Sequence, residues 1–307
     1  MSVRAQVVVL ASQKGGSGKT TLAGHIAVQA ELCGAGPVAL IDTDPQGSLA
    51  KWWNAREAEL PAFAEVSVAE LTRDVKALRD AGFKLIVIDT PPAATASIAE
   101  VITHADLVVV PTRPSPHDLR AVGATVDMVE HQHKPLVFVV NGATMRARIT
   151  GDTAVALSQH GTVAPVTMHH RVDFAASMID GRTVGEVDEN SRSAKEIASL
   201  WLYLADRLTR LRADAAMLSP ATFETDLLTP SKDTNPPAQI DDGVPVPKPV
   251  VVEATATGGE RDVGSRRRAD KDPLSPSLRE QRRPQVTFGR RRLEQDQRSE
   301  KAWGAIR

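Results

Sequence analysis

Residues Ser12–Thr21 read SQKGGSGKTT and directly follow the apolar run Val7–Ala11. Glycines let the backbone wrap tightly, so that successive N–H groups can point at phosphate oxygens, and a helix that follows adds its positive N-terminal end. In this arrangement Lys19 would reach the β- and γ-phosphates of a nucleotide, and the Thr20 hydroxyl would bind Mg²⁺. The spacing therefore predicts a site for a nucleoside triphosphate.

Carboxylates follow two further apolar runs: Asp42 and Asp44 lie in VALIDTDPQG, and Asp89 lies in LIVIDTPP. An apolar strand that ends in Asp is a typical Mg²⁺ position, so we expect Asp89 to hold the metal. Asp42, two residues before Asp44, points the same way along a strand and would support Mg²⁺ or Lys19. Two alternatives stay open: the Asp42–Asp44 pair could cap a helix before Gly47, and Asp89 could form a turn.

The elements that must position these side chains alternate along the chain. The predicted strands are nearly continuous in hydrophobicity, as in a parallel sheet buried on both faces: Val7–Ala11, Val38–Asp42, Leu85–Asp89, Leu107–Pro111, Leu136–Asn141 and Ala164–Met168. The predicted helices are Thr20–Leu32, Gly47–Glu59, Val68–Ala81, Pro116–His131, Gly151–Gln159, Asp173–Ile179 and Ser191–Arg212. This alternation predicts an α/β fold with a doubly wound, mostly parallel sheet flanked by helices, which binds ligands at the carboxyl ends of its strands.

Composition divides the chain of 307 residues into three parts. Residues 1–217 carry 21 Lys+Arg against 24 Asp+Glu and form the predicted nucleotide-binding domain. Residues 218–260 (2 against 7) read as an acidic, proline-rich disordered linker, and residues 261–307 (14 against 7) as an Arg-rich tail that is mostly disordered. The single cysteine, Cys33, excludes an intramolecular disulfide and predicts a cytoplasmic protein, and no apolar run is long enough to span a membrane.

The loop departs from the usual phosphate-loop pattern, because Gln13 stands where a glycine is expected and Lys14 follows it. KGGSGKTT, together with DTDPQG and LIVIDTPP, resembles the ParA/MinD family of deviant Walker A ATPases over residues 3–213. Within that family the chain is most similar to short ParA partition ATPases that lack an N-terminal DNA-binding extension. The resemblance implies ATP hydrolysis with Mg²⁺ and a homodimer in the ATP state. Lys14 would cross the dimer interface to the partner's ATP, and Asp44 would orient the attacking water; a solvated loop lysine is the alternative for Lys14.

Two weaker resemblances complete the predicted site. Asn141, which ends LVFVVN, resembles the family position that reads adenine, although a polar strand end would look the same. Residues 113–116, RPSP, resemble the family's PSP turn or are a rigid loop that opens a helix. The predicted site residues are Lys14, Lys19 and Asp44 for catalysis, Gly15, Gly16, Ser17, Gly18, Lys19, Thr20, Thr21 and Asn141 for ATP, and Thr20, Asp42 and Asp89 for the metal.

The resemblance also offers DNA or a membrane as the support on which the protein acts. The last residues, RRRLEQDQRSEKAWGAIR, have too few apolar positions for the amphipathic helix that MinD-type proteins use, which favours non-specific DNA binding and a nucleoid location. The candidate DNA contacts are Arg171, Arg182, Arg192, Lys195, Arg207 and Arg210, any of which could instead be a solvated charge. A cargo-bound ParB-like or adaptor protein would stimulate hydrolysis.

Three other functions stay open at this point. The first is a small-molecule enzyme of the dethiobiotin synthetase-like group, in which Lys14 would clamp phosphates within its own chain. The second is a MinD-like positioning ATPase on a membrane, and the third is a regulator that acts through the Arg-rich tail. The eight histidines form no metal-ligand pattern, and one cysteine cannot supply the ligands of an iron–sulfur cluster.

Overall fold

A parallel sheet of seven strands organises the part of the chain that the computed structural model describes, residues 4–92 and 95–218. The strands are β1 Gln6–Leu10, β2 Val38–Asp42, β3 Ala62–Ala64, β4 Leu85–Asp89, β5 Leu107–Thr112, β6 Leu136–Val140 and β7 Thr162–Val163. They lie in the order β3–β2–β4–β1–β5–β6–β7, and every neighbouring pair is parallel. The doubly wound α/β fold is confirmed.

Helices connect the strands and cover both faces of the sheet. They are α1 Lys19–Leu32, α2 Ser48–Asn54, α3 Leu71–Asp80, α4 Thr95–Thr103, α5 Pro116–His131, α6 Arg148–Ser158, α7 Val172–Ser177, α8 Val184–Val187 and α9 Arg192–Leu218, with 3-10 turns at Val68–Glu70 and Met178–Asp180. No helix among residues 4–92 and 95–218 combines the length and the apolar character that crossing a bilayer requires.

Successive side chains of each strand enter opposite apolar layers. Val8 and Leu10 of β1 pack in one layer with α1, α2 and α9, whereas Val7 and Val9 pack in the other with α3, α4, α5 and α6. All four side chains are fully buried. Because helices cover both faces, the strands must be apolar on both sides, which is the pattern that the sequence carries.

One predicted strand lies elsewhere, and three short elements were not predicted. The strand predicted at Ala164–Met168 is instead β7, two residues at Thr162–Val163. Beyond β7, the Ala164 N–H (2.8 Å) and the Met168 N–H (2.9 Å) still donate to carbonyls of β6, but Pro165 between them has no N–H to continue the ladder. Strand β3 and helices α4 and α8 were not predicted.

Helix α9 closes the described part of the chain. Its buried residues Leu200, Leu204 and Leu208 recur at four-residue spacing and join the layer that contains α1. It ends at Leu218, beside the predicted domain boundary at 217. The predicted linker, from residue 219 onward, and the predicted tail over 261–307 lie outside the described residues, so both remain predictions.

Candidate functional site

The predicted motifs meet at one edge of the sheet, where β1, β2 and β4 end. Asp89 is the register partner of both Leu10, on β1, and Asp42, on β2. Strand β1 lies between β4 and β5, so the chain leaves it toward β2 on one side and later returns to β5 on the other. A loop at such a switch point is where an open α/β sheet binds its ligand.

The glycine loop takes a conformation that side chains would obstruct. Gly16 and Gly18 have φ angles of 74° and 97°, in the left-handed region that favours glycine. A Cβ atom on Gly18 would clash with Asn141 Nδ2. Gly18 precedes α1 without a side-chain cap, so the first N–H groups of this helix remain available to an anion.

The two loop lysines have different surroundings. Lys19 is only 6% exposed, and burial lowers its pKa, while the nearby carboxylates of Asp89 and Asp44 oppose that shift. Lys14 is exposed. Lys19 therefore points its charge into the site, whereas the charge of Lys14 stands at the surface.

Thr20 and Asp89 form the centre of the predicted metal site. The Thr20 hydroxyl donates a hydrogen bond of 2.6 Å to Asp89 Oδ2. Asp89 is 1% exposed, and burial raises its pKa to about 7. Its other oxygen, Oδ1, is buried without a hydrogen-bond partner among the described residues. A hydroxyl beside a carboxylate with an orphaned buried oxygen fits a hard cation such as Mg²⁺.

The carboxylates of the DTDPQG segment divide between two tasks. Asp42 Oδ1 accepts the Asp44 N–H at 3.0 Å, and Asp42 Oδ2 accepts the Ala50 N–H in the first turn of α2, also at 3.0 Å. Asp42 thus caps α2 from the end of its strand, which is the alternative that the sequence left open. Asp44 uses one oxygen to accept the Gln46 N–H at 2.9 Å and lines the cavity described next.

A cavity of about 500 Å³ opens at the loop, beside the residues that the sequence assigns to the phosphates. It is lined by Gly15, Gly16, Gly18, Lys19, Thr20, Thr21, Asp44, Ser48, Trp52, Thr90, Pro92, Arg113 and Met178. Most of the predicted phosphate-binding residues are therefore brought together. It is not lined by Lys14, Ser17, Asp42, Asp89 or Asn141. Asp89 and Asn141 instead form hydrogen bonds with Thr20 and with the Ser17 carbonyl.

Asn141 contacts the loop itself. Its Nδ2 donates a hydrogen bond of 2.7 Å to the Ser17 carbonyl. The contact joins the end of β6 to the loop after β1. An adenine-reading role for Asn141 remains a prediction, and the bond to Ser17 gives it a positioning role in this structure.

Six lining residues are not among the predicted site residues. Thr90 and Pro92 lie within the LIVIDTPP segment and Arg113 within RPSP, whereas Ser48, Trp52 and Met178 lie outside the motifs. Trp52 is 5% exposed and packs against Gly24 of α1, where an added Cβ would lie 3.0 Å from the indole. Ser48 opens the same helix as Trp52, and its position directly after DTDPQG was a usable signal. Met178 arrives from a distant 3-10 turn, and no local pattern marks it.

The candidate DNA contacts differ in their present partners. Arg171 pairs with Glu196 at 2.7 Å and its side chain is 17% exposed. Arg182 pairs with Asp180 at 2.6 Å, and Arg210 pairs with Asp206 at 3.0 Å, both at exposed positions. Three others lie on α9: Arg192 and Lys195 are exposed, and Arg207 is half-buried.

The fold and the loop together define a nucleotide-binding P-loop protein. Residues 8–184 match the CobQ/CobB/MinD/ParA nucleotide binding domain, which is more than half of the chain. The chain therefore belongs to this family, and the resemblance to ParA/MinD-type deviant Walker A ATPases is confirmed.

Individual relatives agree with this assignment. The chain is 30% identical over 206 residues to the maintenance of carboxysome distribution protein A of Halothiobacillus neapolitanus, an alignment that covers 64% of this chain and 94% of that protein. It is 29% identical to the chromosome-partitioning ATPase Soj of Thermus thermophilus, over 48% of this chain and 75% of that protein. The structure of a Cyanothece McdA variant in complex with ATP shares the fold, with a TM-score of 0.56 at 17% identity over 66% of this chain and 97% of that one.

Proposed function

We propose that this protein is a positioning ATPase that hydrolyses ATP with Mg²⁺ and dimerises in its ATP state. As a dimer it binds nucleoid DNA without sequence preference, and a cargo-bound partner protein stimulates its hydrolysis. The observation that carries the proposal is the division of the two loop lysines. Lys19 is buried in the site with Thr20 and Asp44, whereas Lys14 extends from the same loop at the surface.

The residues of the site account for phosphoryl transfer by positioning and charge. Lys19 and the N-terminal end of α1 would hold the phosphates of ATP. Thr20 and Asp89 would hold Mg²⁺, which neutralises developing charge on the phosphate oxygens. Asp44, on a turn fixed by Asp42, would orient the attacking water.

The exposed Lys14 explains why ATP would join two chains. A cation that stands at the surface beside its own site can reach the phosphates of a nucleotide held by a second copy. Each nucleotide would then be held by Lys19 from one chain and Lys14 from the other. Two chains without ATP would lack this shared contact and would associate less.

Mixing two inactive variants tests this trans role. In a hybrid of a Lys14→Ala chain with a Lys19→Ala chain, the site of the first chain has both lysines. Random pairing makes half of the dimers hybrids with one complete site each, so about one quarter of the wild-type ATPase rate is expected.

The matched control mixes Lys19→Ala with Asp89→Asn. Both of these residues act on the nucleotide of their own chain, so no hybrid site is complete and no rate should return. If crosslinking shows hybrid dimers of the lysine variants but their rate stays at background, Lys14 acts within its own chain. That result would favour a small-molecule enzyme on the same fold.

DNA binding is proposed to use exposed cations of α9 and of the segment before it. Arg192 and Lys195 lie one turn apart at the start of α9 and are exposed, so both can meet one phosphate backbone. In anisotropy measurements with random-sequence duplex and ATP, the Arg192→Ala/Lys195→Ala variant should lower the log–log salt slope by about 0.9 for each lost phosphate contact.

The control for that measurement is Lys84→Ala/Arg148→Ala, which removes two exposed cations elsewhere on the described domain and should leave the slope unchanged. A salt slope near zero for the wild-type protein would refute the DNA proposal. Vesicle binding by a protein that ignores DNA would support the MinD-like alternative.

A positioning role matches the names of relatives that act on different cargoes: the Halothiobacillus protein is named for carboxysome distribution and the Thermus protein for chromosome partitioning. The proposed cargo is therefore a plasmid, a chromosomal origin or a large protein assembly. Fluorescently tagged protein that spreads evenly through the cell, with or without ATP binding, would contradict a nucleoid-based positioning role.

A further inference from the structure

Arg113 is a cationic residue that lines the proposed nucleotide cavity, and the proposed reaction assigns it no role. It directly follows β5 and lines the same cavity as Lys19 and Asp44. Its side chain is exposed, and its guanidinium forms no ion pair within residues 4–92 and 95–218. The buried Arg56, by contrast, is paired with Glu186. An arginine that lines a cavity without a carboxylate partner is a candidate for ligand contact.

The turn that carries Arg113 is well fixed. The Ser115 N–H donates to the Arg113 carbonyl at 2.7 Å, and Ser115 Oγ in turn accepts the Asp118 N–H at 3.1 Å as the N-cap of α5. Arg113 also packs beside Gly142, where a Cβ atom would lie 3.6 Å from Arg113 Nε. Its side chain therefore lies beside Gly142, two residues beyond the end of β6.

The order of the strands places Arg113 and the proposed metal site on opposite sides of β1. Asp89 ends β4 and Asp44 follows β2, so the proposed metal and the terminal phosphate lie on one side of β1. Arg113 follows β5, on the other side of β1. With the phosphates held by the loop after β1, the base and ribose would extend away from the metal, toward β5 and β6.

We propose that Arg113 contacts the nucleoside half of the bound nucleotide, with its guanidinium plane against the base. This inference rests on the proposed ATP binding and adds a residue that determines affinity for the nucleoside. Arginine suits this contact because its planar, weakly hydrated guanidinium stacks on aromatic rings. A lysine ammonium does not stack and interacts with a ring only as a point charge.

Two probes that share their phosphates separate the nucleoside contact from a phosphate contact. ADP and inorganic pyrophosphate, each with Mg²⁺, are titrated into full-length protein by calorimetry. ADP is chosen because its binding does not require the ATP-state dimer. Arg113→Ala should weaken ADP binding roughly tenfold and change pyrophosphate binding less than about twofold. Arg113→Lys should restore less than half of the lost ADP affinity on a logarithmic scale.

Control variants identify the other outcomes. Arg120→Ala, an exposed arginine on the next helix, should leave both probes unchanged, and Lys19→Ala should weaken both. Equal weakening of both probes by Arg113→Ala would overturn the proposal in favour of a phosphate contact. Unchanged ADP binding would overturn it while leaving the nucleotide site intact. Failure of the wild-type protein to bind either probe would instead overturn the proposed ATP site, and this inference with it.

Discussion

His25 lies in α1 directly behind the phosphate loop and is fully buried. Its Nδ1 lies 2.8 Å from the Thr21 carbonyl, and its Nε2 accepts the Val184 N–H at 3.3 Å. These partners fix one neutral tautomer, with the proton on Nδ1. Protonation of Nε2 would set an N–H against another N–H, and burial lowers the pKa of His25 to about 4.

The effect on stability follows from the difference between this value and the ordinary value of 6.5. Between the two, the unfolded chain binds a proton that the folded chain does not. The contribution of neutral, buried His25 to the unfolding free energy is therefore complete above pH 6.5 and is lost as the pH falls toward 4. Lowering the pH from about 7 to about 5 should cost about 2 kcal/mol of unfolding free energy through this one group.

The assay is urea unfolding of the nucleotide-free, full-length protein at both pH values. His25→Gln serves as the variant, because its side-chain oxygen can accept the Val184 N–H but cannot titrate. The wild-type protein should lose about 2 kcal/mol more than this variant when the pH is lowered. Other titrating groups are common to both proteins and cancel in the comparison.

His160→Gln, at an exposed position, is the matched control and should lose as much stability as the wild-type protein. An equal loss for wild type and His25→Gln would refute the reasoning. It would mean that the folded protein binds a proton on His25 as readily as the unfolded chain does, despite the loss of the bond from Val184.

Two further predictions concern buried contacts around the site. Arg56→Ala should lower the unfolding free energy by about 3–5 kcal/mol in urea titrations, because it leaves the Glu186 carboxylate, now 2.7 Å from the guanidinium, without its partner. Arg148→Ala, in which the lost side chain is 94% exposed, should cost less than about 1 kcal/mol, and equal costs would contradict this account. Gly18→Ala should weaken ADP binding at least roughly tenfold in calorimetry, because its Cβ would clash with the Asn141 side chain. Gly34 also has a positive φ, 73°, but an added Cβ would meet no atom within 4 Å, so Gly34→Ala should leave ADP binding unchanged. An equal loss of ADP affinity in the two variants would mean that backbone strain, and not the clash with Asn141, causes the effect.

The sheet could be predicted from the sequence wherever burial on both faces requires a continuous apolar run. Strands β2 and β4 have the predicted bounds, Val38–Asp42 and Leu85–Asp89. Strand β3 is three residues long, which is too short to show a pattern. Helix α4 follows Pro91-Pro92 and reads TASIAEVIT, in which β-branched residues mask the helical period.

The candidate site was predictable where one loop or one strand end supplies the chemistry. The glycine loop and Asp89 are local signals, and their positions in the structure agree with them. The sequence could not show that Asp42 caps α2 while Asp44 lines the cavity, because these roles depend on which backbone N–H groups each carboxylate accepts. Arg56 is 3% exposed and could not have been expected in the core, since its partners Gly181 and Glu186 are distant in sequence.

The same distant partners explain how the turn that carries Asp44 is held. At its start α2 is capped by Asp42, and at its end Arg56 donates to the Gly181 carbonyl at 2.7 Å. Between them the Trp52 indole donates to the Arg182 carbonyl at 3.3 Å. A short helix of seven residues has little stability of its own, so these three anchors, not helix propensity, fix its place. Because they join it both to the end of β2 and to segment 181–186, Asp44 stands on a supported element rather than on a free loop.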